Sequence, residues 1–195
     1  MVESTIGHEE ALRVPDLTPG ARRILDASAD LFYRHGIHAV GVDAIAEASG
    51  VTKRTLYDRF GSKDALIAAY LQARHAAWWD RLEKRLASAP APRVLAVFDA
   101  YALDAPSIDR GCGFLNAAGE LPAGHPGHTV IRAHKAAVRS KLEELLRVDR
   151  PDVTDPAAVA DHLFLLLEGG VAQRGIDGDG RMLAVARETA ARLVS

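Results

Sequence analysis

Apolar residues recur at intervals of three and four along most of this 195-residue chain, whereas strict alternation of apolar and polar residues is nearly absent. In residues 18–36, for example, Ile24 and Phe32 fall on one helical face. Thr18 is placed to cap this helix, and Gly36 is placed to end it as a glycine in the left-handed conformation. Because such spacing is typical of amphipathic helices, the sequence predicts an all-α fold.

The predicted helices are separated by turns that contain proline or glycine, such as LPAGHPGH and DGDG. Residues 1–17 show little periodicity and are expected to form a flexible N-terminal arm. Beyond this arm, the predicted helices span residues 18–36, 42–49, 52–60, 63–86, 92–104, 112–121, 126–147, 155–174 and 179–194. The third of them is short and carries an unusual charge.

This third helix lies in the segment SGVTKRTLYDRFGSKDAL, residues 49–66, which is basic although the chain is slightly acidic. The whole chain has 24 Lys and Arg against 26 Asp and Glu, a net charge of −2. Between Thr52 and Lys63, four basic residues stand against the single Asp58, so the local charge is 4 − 1 = +3. Two short helices joined by SGVT predict a helix-turn-helix unit, and a helix about 10–12 Å across fits the major groove of DNA.

The composition argues against several other classes of protein. A single cysteine, Cys112, leaves no partner for an internal disulfide bond. The first residues lack the basic and apolar regions of a secretory signal, and charged residues interrupt the most apolar stretch, AAVADHLFLLLEGGVA. The histidines of HPGH do not have the spacing of a tetrahedral metal site. We therefore expect a soluble, cytoplasmic protein without a membrane span, a metal or a cofactor.

A basic cluster of this size is also typical of an ordinary solvated helix face, but the residue order around it is more specific. The string AIAEASGVTKRTLYDRFGSKDAL resembles the DNA-binding region of the TetR family of transcriptional regulators, and the resemblance runs from about Thr18 to Leu66. It implies that the helix at 52–60 enters the major groove. The residues it implies for DNA contact are Thr52, Lys53, Arg54, Thr55, Tyr57, Arg59 and Lys63.

The resemblance also implies what some of these residues do. Lys53, Arg54 and Thr55 occupy the base-reading positions, and a lysine or arginine pairs well with the O6 and N7 atoms of guanine. Tyr57 and Lys63 occupy the positions of phosphate-contacting residues. This part of the resemblance therefore predicts both base readout and backbone contacts.

The chain departs from the family pattern at the start of its second helix. Threonine hydroxyls are common there, whereas this chain has Gly41 and Val42. A phosphate at this point can be met only by backbone N–H groups of the helix N-terminus. Asp43 complements the helix dipole, but its charge would repel a close phosphate.

The resemblance implies three parts for the chain: the arm at 1–17, a helix-turn-helix DNA-binding domain at 18–64, and a helical ligand-binding and dimerisation domain at 65–195. The last two helices are implied to pair with those of a second subunit. The glycine pair in the first of them either permits close helix approach across the dimer axis or loosens the helix end. The residues expected at the dimer contact are Leu163, Leu166, Leu167, Gly169, Gly170, Leu183 and Ala186.

The segment DRGCGFLNAAGEL resembles a stretch that lies near the ligand cavity in some TetR relatives. Cys112 is open to three interpretations: a small buried apolar residue, a ligand contact or a redox-sensitive thiol. Asn116 is satisfied either by backbone groups or by a ligand. Trp78, Phe98, Tyr101 and Phe114 are at helical spacing, so each either belongs to the core or lines the cavity. The residues expected to bind an effector are Trp78, Phe98, Tyr101, Cys112, Phe114, Asn116 and His134.

The sequence thus predicts a ligand-responsive transcriptional regulator, specifically a repressor that binds a near-palindromic operator as a homodimer. Its effector is expected to be small and either hydrophobic or aromatic. One alternative is a helical enzyme that uses Cys112 and His134, although no nucleophile elbow or glycine-rich phosphate loop occurs. Another is a helix-turn-helix adaptor or activator that responds to no ligand.

Overall fold

A computed structural model of the protein describes residues 2–104 and 110–195. All regular elements in these ranges are α-helices, which confirms the predicted fold class. Within the same ranges, no helix has both the length and the apolar run needed to cross a membrane. The helices are α1 (Val2–Leu12), α2 (Pro19–His35), α3 (Val42–Ser49), α4 (Lys53–Phe60), α5 (Lys63–Leu86), α6 (Val94–Ala102), α7 (Gly113–Glu120), α8 (Pro126–Asp149), α9 (Pro156–Asp177) and α10 (Arg181–Leu193).

The first helix, α1, occupies most of the segment that was expected to form an arm. Its residues His8, Glu9 and Glu10 are exposed, and the helix has no apolar stripe that would give a periodic signal. Gln72 of α5 donates a hydrogen bond of 3.0 Å to the carbonyl oxygen of Ala11 near its end. The flexibility of this segment stays a prediction.

The chain forms two compact units, and the first comprises the residues up to Ala76 together with Gly113–His134. Within it, α2, α3 and α4 pack on one another. As predicted, α2 begins at the N-cap Thr18, whose hydroxyl accepts a hydrogen bond of 3.3 Å from the Ala21 N–H. The fully buried apolar side chains of this first unit include Ile24, Leu25, Ile45, Leu56, Leu66 and Leu71. This core holds the three helices of the predicted helix-turn-helix in place.

The second unit comprises Ala77–Cys112 and Lys135–Ser195. Its helices α9 and α10 pack against each other, and Gly170 lies at a close approach between them: a Cβ at this position would lie 2.9 Å from the Leu183 Cα. Its fully buried apolar side chains include Leu82, Phe98, Leu142, Leu146, Leu163 and Leu167. Because Gly170 has no Cβ, it permits close contact between α9 and α10 within one chain.

Candidate nucleic-acid interface

Helix α4 is short, and local contacts define both of its ends. The Thr52 hydroxyl accepts a hydrogen bond of 3.2 Å from the Thr55 N–H, and the two threonine hydroxyl oxygens are 3.0 Å apart. The Gly61 N–H donates to the Tyr57 carbonyl oxygen at 2.8 Å, with Gly61 at a φ of 75°. Between these ends Leu56 is fully buried. Thr52 is therefore the N-cap of α4, and Leu56 is its inward-facing residue.

The turn that precedes α4 also depends on a glycine. Gly50 ends α3 in the left-handed conformation, with φ 66° and ψ 29°. The Val51 N–H then donates to the Ala46 carbonyl oxygen at 3.1 Å. Because an L side chain is strained at this φ, the glycine allows the tight reversal that a helix-turn-helix needs.

The face of α4 opposite Leu56 is basic and exposed. The side chain of Arg54 is 91% exposed and that of Lys53 is 51% exposed. Tyr57 is 45% exposed, which is unusual for a large aromatic residue, and Arg59 is exposed as well. These side chains supply the cations and the phenol hydroxyl with which a helix can contact phosphates and base edges.

Two of the cations on this face have carboxylate neighbours. The Lys53 Nζ lies 2.5 Å from the Asp43 Oδ1, so the first residue of α4 is paired with the first turn of α3. The Arg54 Nε lies 3.9 Å from the Asp58 Oδ2, one turn along α4. Gly41, the N-cap of α3, provides no side-chain hydrogen bond to that helix. The Asp43–Lys53 pair was not anticipated from the sequence.

Lys63, at the start of α5, holds the loop between α2 and α3. Its Nζ donates a hydrogen bond of 2.8 Å to the Ile37 carbonyl oxygen and lies 6.0 Å from the centre of the Phe32 ring. Burial lowers the pKa of Lys63, and the nearby carboxylates of Asp64 and Glu120 oppose this effect. An ammonium has three N–H donors, so a phosphate contact is compatible with the bond to Ile37.

Helix α7 contributes a carboxylate to the same loop. The Glu120 Oε2 accepts a hydrogen bond of 2.8 Å from the His38 N–H. Gly36 has φ 89° and ψ 152°, which is not the predicted left-handed helical conformation, and a Cβ there would lie 2.9 Å from the Glu120 Oε2. Gly36 ends α2 as predicted, and its N–H donates to the Phe32 carbonyl oxygen. Only its predicted conformation was wrong, and the Glu120 carboxylate, 82 positions from His38, occupies the space beside it.

Comparison with known proteins supports the arrangement of α2 to α4. Residues 24–70 match the family model described as bacterial regulatory proteins, tetR family. The crystal structure of a TetR-family transcriptional regulator from Streptomyces coelicolor superposes with a TM-score of 0.81 and 32% identity, covering 91% of this chain and 89% of that one. The chain belongs to the TetR family.

Curated HTH-type relatives differ in how much of their length the chain matches. FasR of Mycolicibacterium smegmatis, an HTH-type transcriptional activator, is 45% identical over 53 residues, which is 27% of this chain and 24% of FasR. The chain thus covers about a quarter of that relative's length. ComR of Escherichia coli K12, an HTH-type transcriptional repressor, is 28% identical over 160 residues and 74% of each chain. Both relatives are transcriptional regulators, but they act in opposite directions.

In this TetR-family chain, four residues expected to bind an effector lie in the second unit, and all four are buried: Trp78, Phe98, Tyr101 and Cys112. The ring centres of Trp78 and Tyr101 are 4.8 Å apart. A cavity of about 50 Å³ borders Trp78, and one of about 20 Å³ borders Tyr101 and Cys112. The Lys135 Nζ lies 3.9 Å from the Cys112 Sγ, a neighbouring cation that the sequence did not indicate. Each cavity has room for at most a few water molecules.

The other three expected effector residues of this TetR-family chain, Phe114, Asn116 and His134, lie in the first unit. The His134 ring stacks on Phe114, with ring centres 3.9 Å apart, and its Nδ1 lies 2.9 Å from the Nδ1 of His75. Burial lowers the pKa of His75 to about 4. Two neutral rings satisfy this contact when one Nδ1 donates and the other accepts. The sequence did not indicate that His75 and His134 are in contact.

Most residues expected at a TetR-type dimer contact are buried inside the chain. These are Leu163, Leu167, Gly170, Leu183 and Ala186, whereas Leu166 is half-buried and Gly169 is exposed. Helix α9 instead exposes a row at alternating spacings of four and three, and Leu165 in this row is 68% exposed. The members of this α9 row are Ala158, His162, Leu165, Gly169, Ala172 and Ile176. Because α9 is apolar on both faces, periodicity could not indicate which face lies inside.

Proposed function

We propose that this protein is a ligand-responsive transcriptional repressor that binds a near-palindromic operator as a homodimer and is released by a small hydrophobic or aromatic effector. One observation carries the DNA-binding part. In a chain of net charge −2, a capped helix buries Leu56 and exposes Lys53, Arg54, Tyr57 and Arg59 on its other face. Membership of a family of helix-turn-helix regulators supports the same function.

In the proposed complex, α4 lies in the major groove. Lys53 and Arg54 read base edges, for which guanine O6 and N7 are the best acceptors. Tyr57 and Lys63 contact phosphates, and Lys63 does so while it holds the Ile37 carbonyl group. Thr52, Thr55 and Arg59 complete the contact surface, since the two threonine hydroxyls lie together at the start of α4.

The α9 row is the proposed contact with a second copy. Spacings of four and three place its members on one seam, which is the pattern of paired helices. A homodimer carries two α4 helices, which are proposed to read half-sites about 34 Å, or one turn of DNA, apart. The exposed Gly169 is a member of the row, and the half-buried Leu166 lies next to Leu165, so both remain part of the proposed contact.

The dimer proposal can be tested with a matched pair of charge substitutions. Leu165→Glu is expected to shift sedimentation from dimer to monomer, because it places a charge in the apolar seam. Val148→Glu is the control, since Val148 lies on α8 and is similarly exposed, at 63%. Two variants that both sediment as dimers would contradict the α9 contact.

An effector that contacts Trp78, Tyr101 and Cys112 requires the second unit to open, although the same unit also has a pocket of about 290 Å³ beside Leu95 and Asp99. Ligand pockets are generally about 300–1,000 Å³, whereas the cavities beside Trp78, Tyr101 and Cys112 are about 50 and 20 Å³. A hydrophobic or aromatic effector would therefore separate Trp78 from Tyr101 and select a conformation that spaces the two α4 helices incorrectly. If the unit does not open at Trp78 and Tyr101 and nothing binds the larger pocket, the second candidate is favoured, a regulator that responds to no ligand.

The DNA-binding proposal is tested by selecting duplexes from a random pool with the full-length protein. We expect an enriched inverted repeat, and recovery of random duplexes only would contradict the proposal. Lys63→Ala is then expected to weaken binding to every duplex and to flatten the slope of log K against log salt by about 0.9, because one phosphate contact is lost. A reporter gene under the selected operator distinguishes repression from activation, and catalytic turnover would support the enzyme alternative.

A further inference from the structure

The pair formed by Asp43 and Lys53 joins the starts of the two helices of the helix-turn-helix. The Lys53 Nζ and the Asp43 Oδ1 are 2.5 Å apart, and both side chains are at least half exposed. The lysine is a predicted base reader, whereas the aspartate is the first acidic residue of α3. The carboxylate therefore lies beside a cation on the surface proposed to meet DNA.

The pair affects phosphate contacts and base contacts differently. An ammonium has three N–H donors, so Lys53 can keep one on Asp43 and direct the other two at base acceptors. A phosphate that takes up Lys53 would have to approach the Asp43 carboxylate or draw the lysine away from it. Both changes are unfavourable, because like charges repel and an existing ion pair is lost. The carboxylate thus penalises a phosphate contact at this position more than a base contact.

Binding to random DNA depends on phosphate contacts, whereas discrimination depends on base edges. We propose that Asp43 is a specificity-determining residue, which keeps the amino group of Lys53 directed at bases and unavailable to phosphates. This inference rests on the proposed function, because it requires DNA as the ligand of α4. It assigns to Asp43 a role in suppressing binding to the wrong sequence, which is a common means of achieving specificity.

The test compares the full-length wild type, Asp43→Asn, Lys53→Ala and the double variant. Each binds a random-sequence duplex and the duplex recovered by selection, over a salt series. Asp43→Asn is expected to raise affinity for the random duplex about fivefold at low salt and to steepen its salt slope by about 0.9, since Lys53 gains a phosphate. Affinity for the selected duplex should change less than about twofold, so the ratio of the two affinities falls.

The double variant shows whether Asp43 acts through Lys53. Without the lysine, Asp43→Asn should change affinity for the random duplex less than about twofold, because no amino group is released. Glu47→Gln is the control for charge, since Glu47 is exposed one turn further along the same helix. It should leave the affinity ratio close to that of the wild type.

Four results would contradict these expectations. An equal effect of Asp43→Asn with and without Lys53, or an equal effect on both duplexes, would overturn the inference alone. The same fall in the ratio with Glu47→Gln would also overturn it, because any nearby negative charge would then suffice. A wild-type protein that discriminates between no duplexes would overturn the proposed function together with the inference.

Discussion

Replacing Gly170 with alanine tests the close contact between α9 and α10 in the second unit. The added Cβ would lie 2.9 Å from the Leu183 Cα and 3.2 Å from the Ala186 Cβ. The Leu183 Cα is a backbone atom and cannot rotate away, so α10 must shift by several tenths of an ångström. Overpacking of this kind costs about 1–3 kcal/mol, partly offset by about 0.5–1 kcal/mol for removing a helical glycine. The expected net loss in the free energy of unfolding is about 1–2 kcal/mol.

The assay is thermal and urea unfolding followed by circular dichroism. At about 2–4 °C per kcal/mol for a chain of this size, Gly170→Ala should lower Tm by about 2–8 °C. Gly119→Ala is the matched control, because Gly119 is an exposed helical glycine whose Cβ would meet nothing within 4 Å. It should be neutral or raise the stability by up to about 1 kcal/mol. A Gly170→Ala protein as stable as the wild type would refute the close α9–α10 contact.

Two further predictions concern contacts of the first unit. His75→Asn should make the free energy of unfolding less dependent on pH. In the unfolded chain a histidine binds a proton near pH 6.5, whereas burial lowers the folded pKa of His75 to about 4. The wild type should therefore lose about 2 kcal/mol of stability between about pH 7 and pH 5. Asparagine keeps a polar partner for His134 without titrating. If the free energy of unfolding in urea depended on pH equally in the wild type and in His75→Asn, this assignment would be contradicted. Glu120→Ala should speed amide hydrogen exchange at His38 about tenfold, since a hydrogen bond to a carboxylate is lost, whereas Glu120→Gln keeps an acceptor and should have a smaller effect. An unchanged exchange rate in Glu120→Ala would contradict the role given to this carboxylate.

Much of the fold and the framework of the candidate interface could be predicted, because both depend on neighbours in the chain. A capping threonine interacts with an N–H three residues ahead, as Thr18 and Thr52 do. Apolar spacing likewise predicted α2 to α10 to within a few residues, and the order of residues around Leu56 indicated the family. Helix α1 could not be predicted, since it has no apolar face.

The sequence by itself therefore determined the helices, their caps and the basic face of α4, because each depends on residues within a few positions of one another. Only the tertiary structure decided that Asp43 meets Lys53, that Glu120 reaches His38 and that Gly170 faces α10 in its own chain. These contacts join different helices, and residues that fall together in space leave no periodic signal in a single sequence. The sequence of a helix that is apolar on two faces, such as α9, predicts that the helix packs against other elements. It does not indicate which element each face contacts.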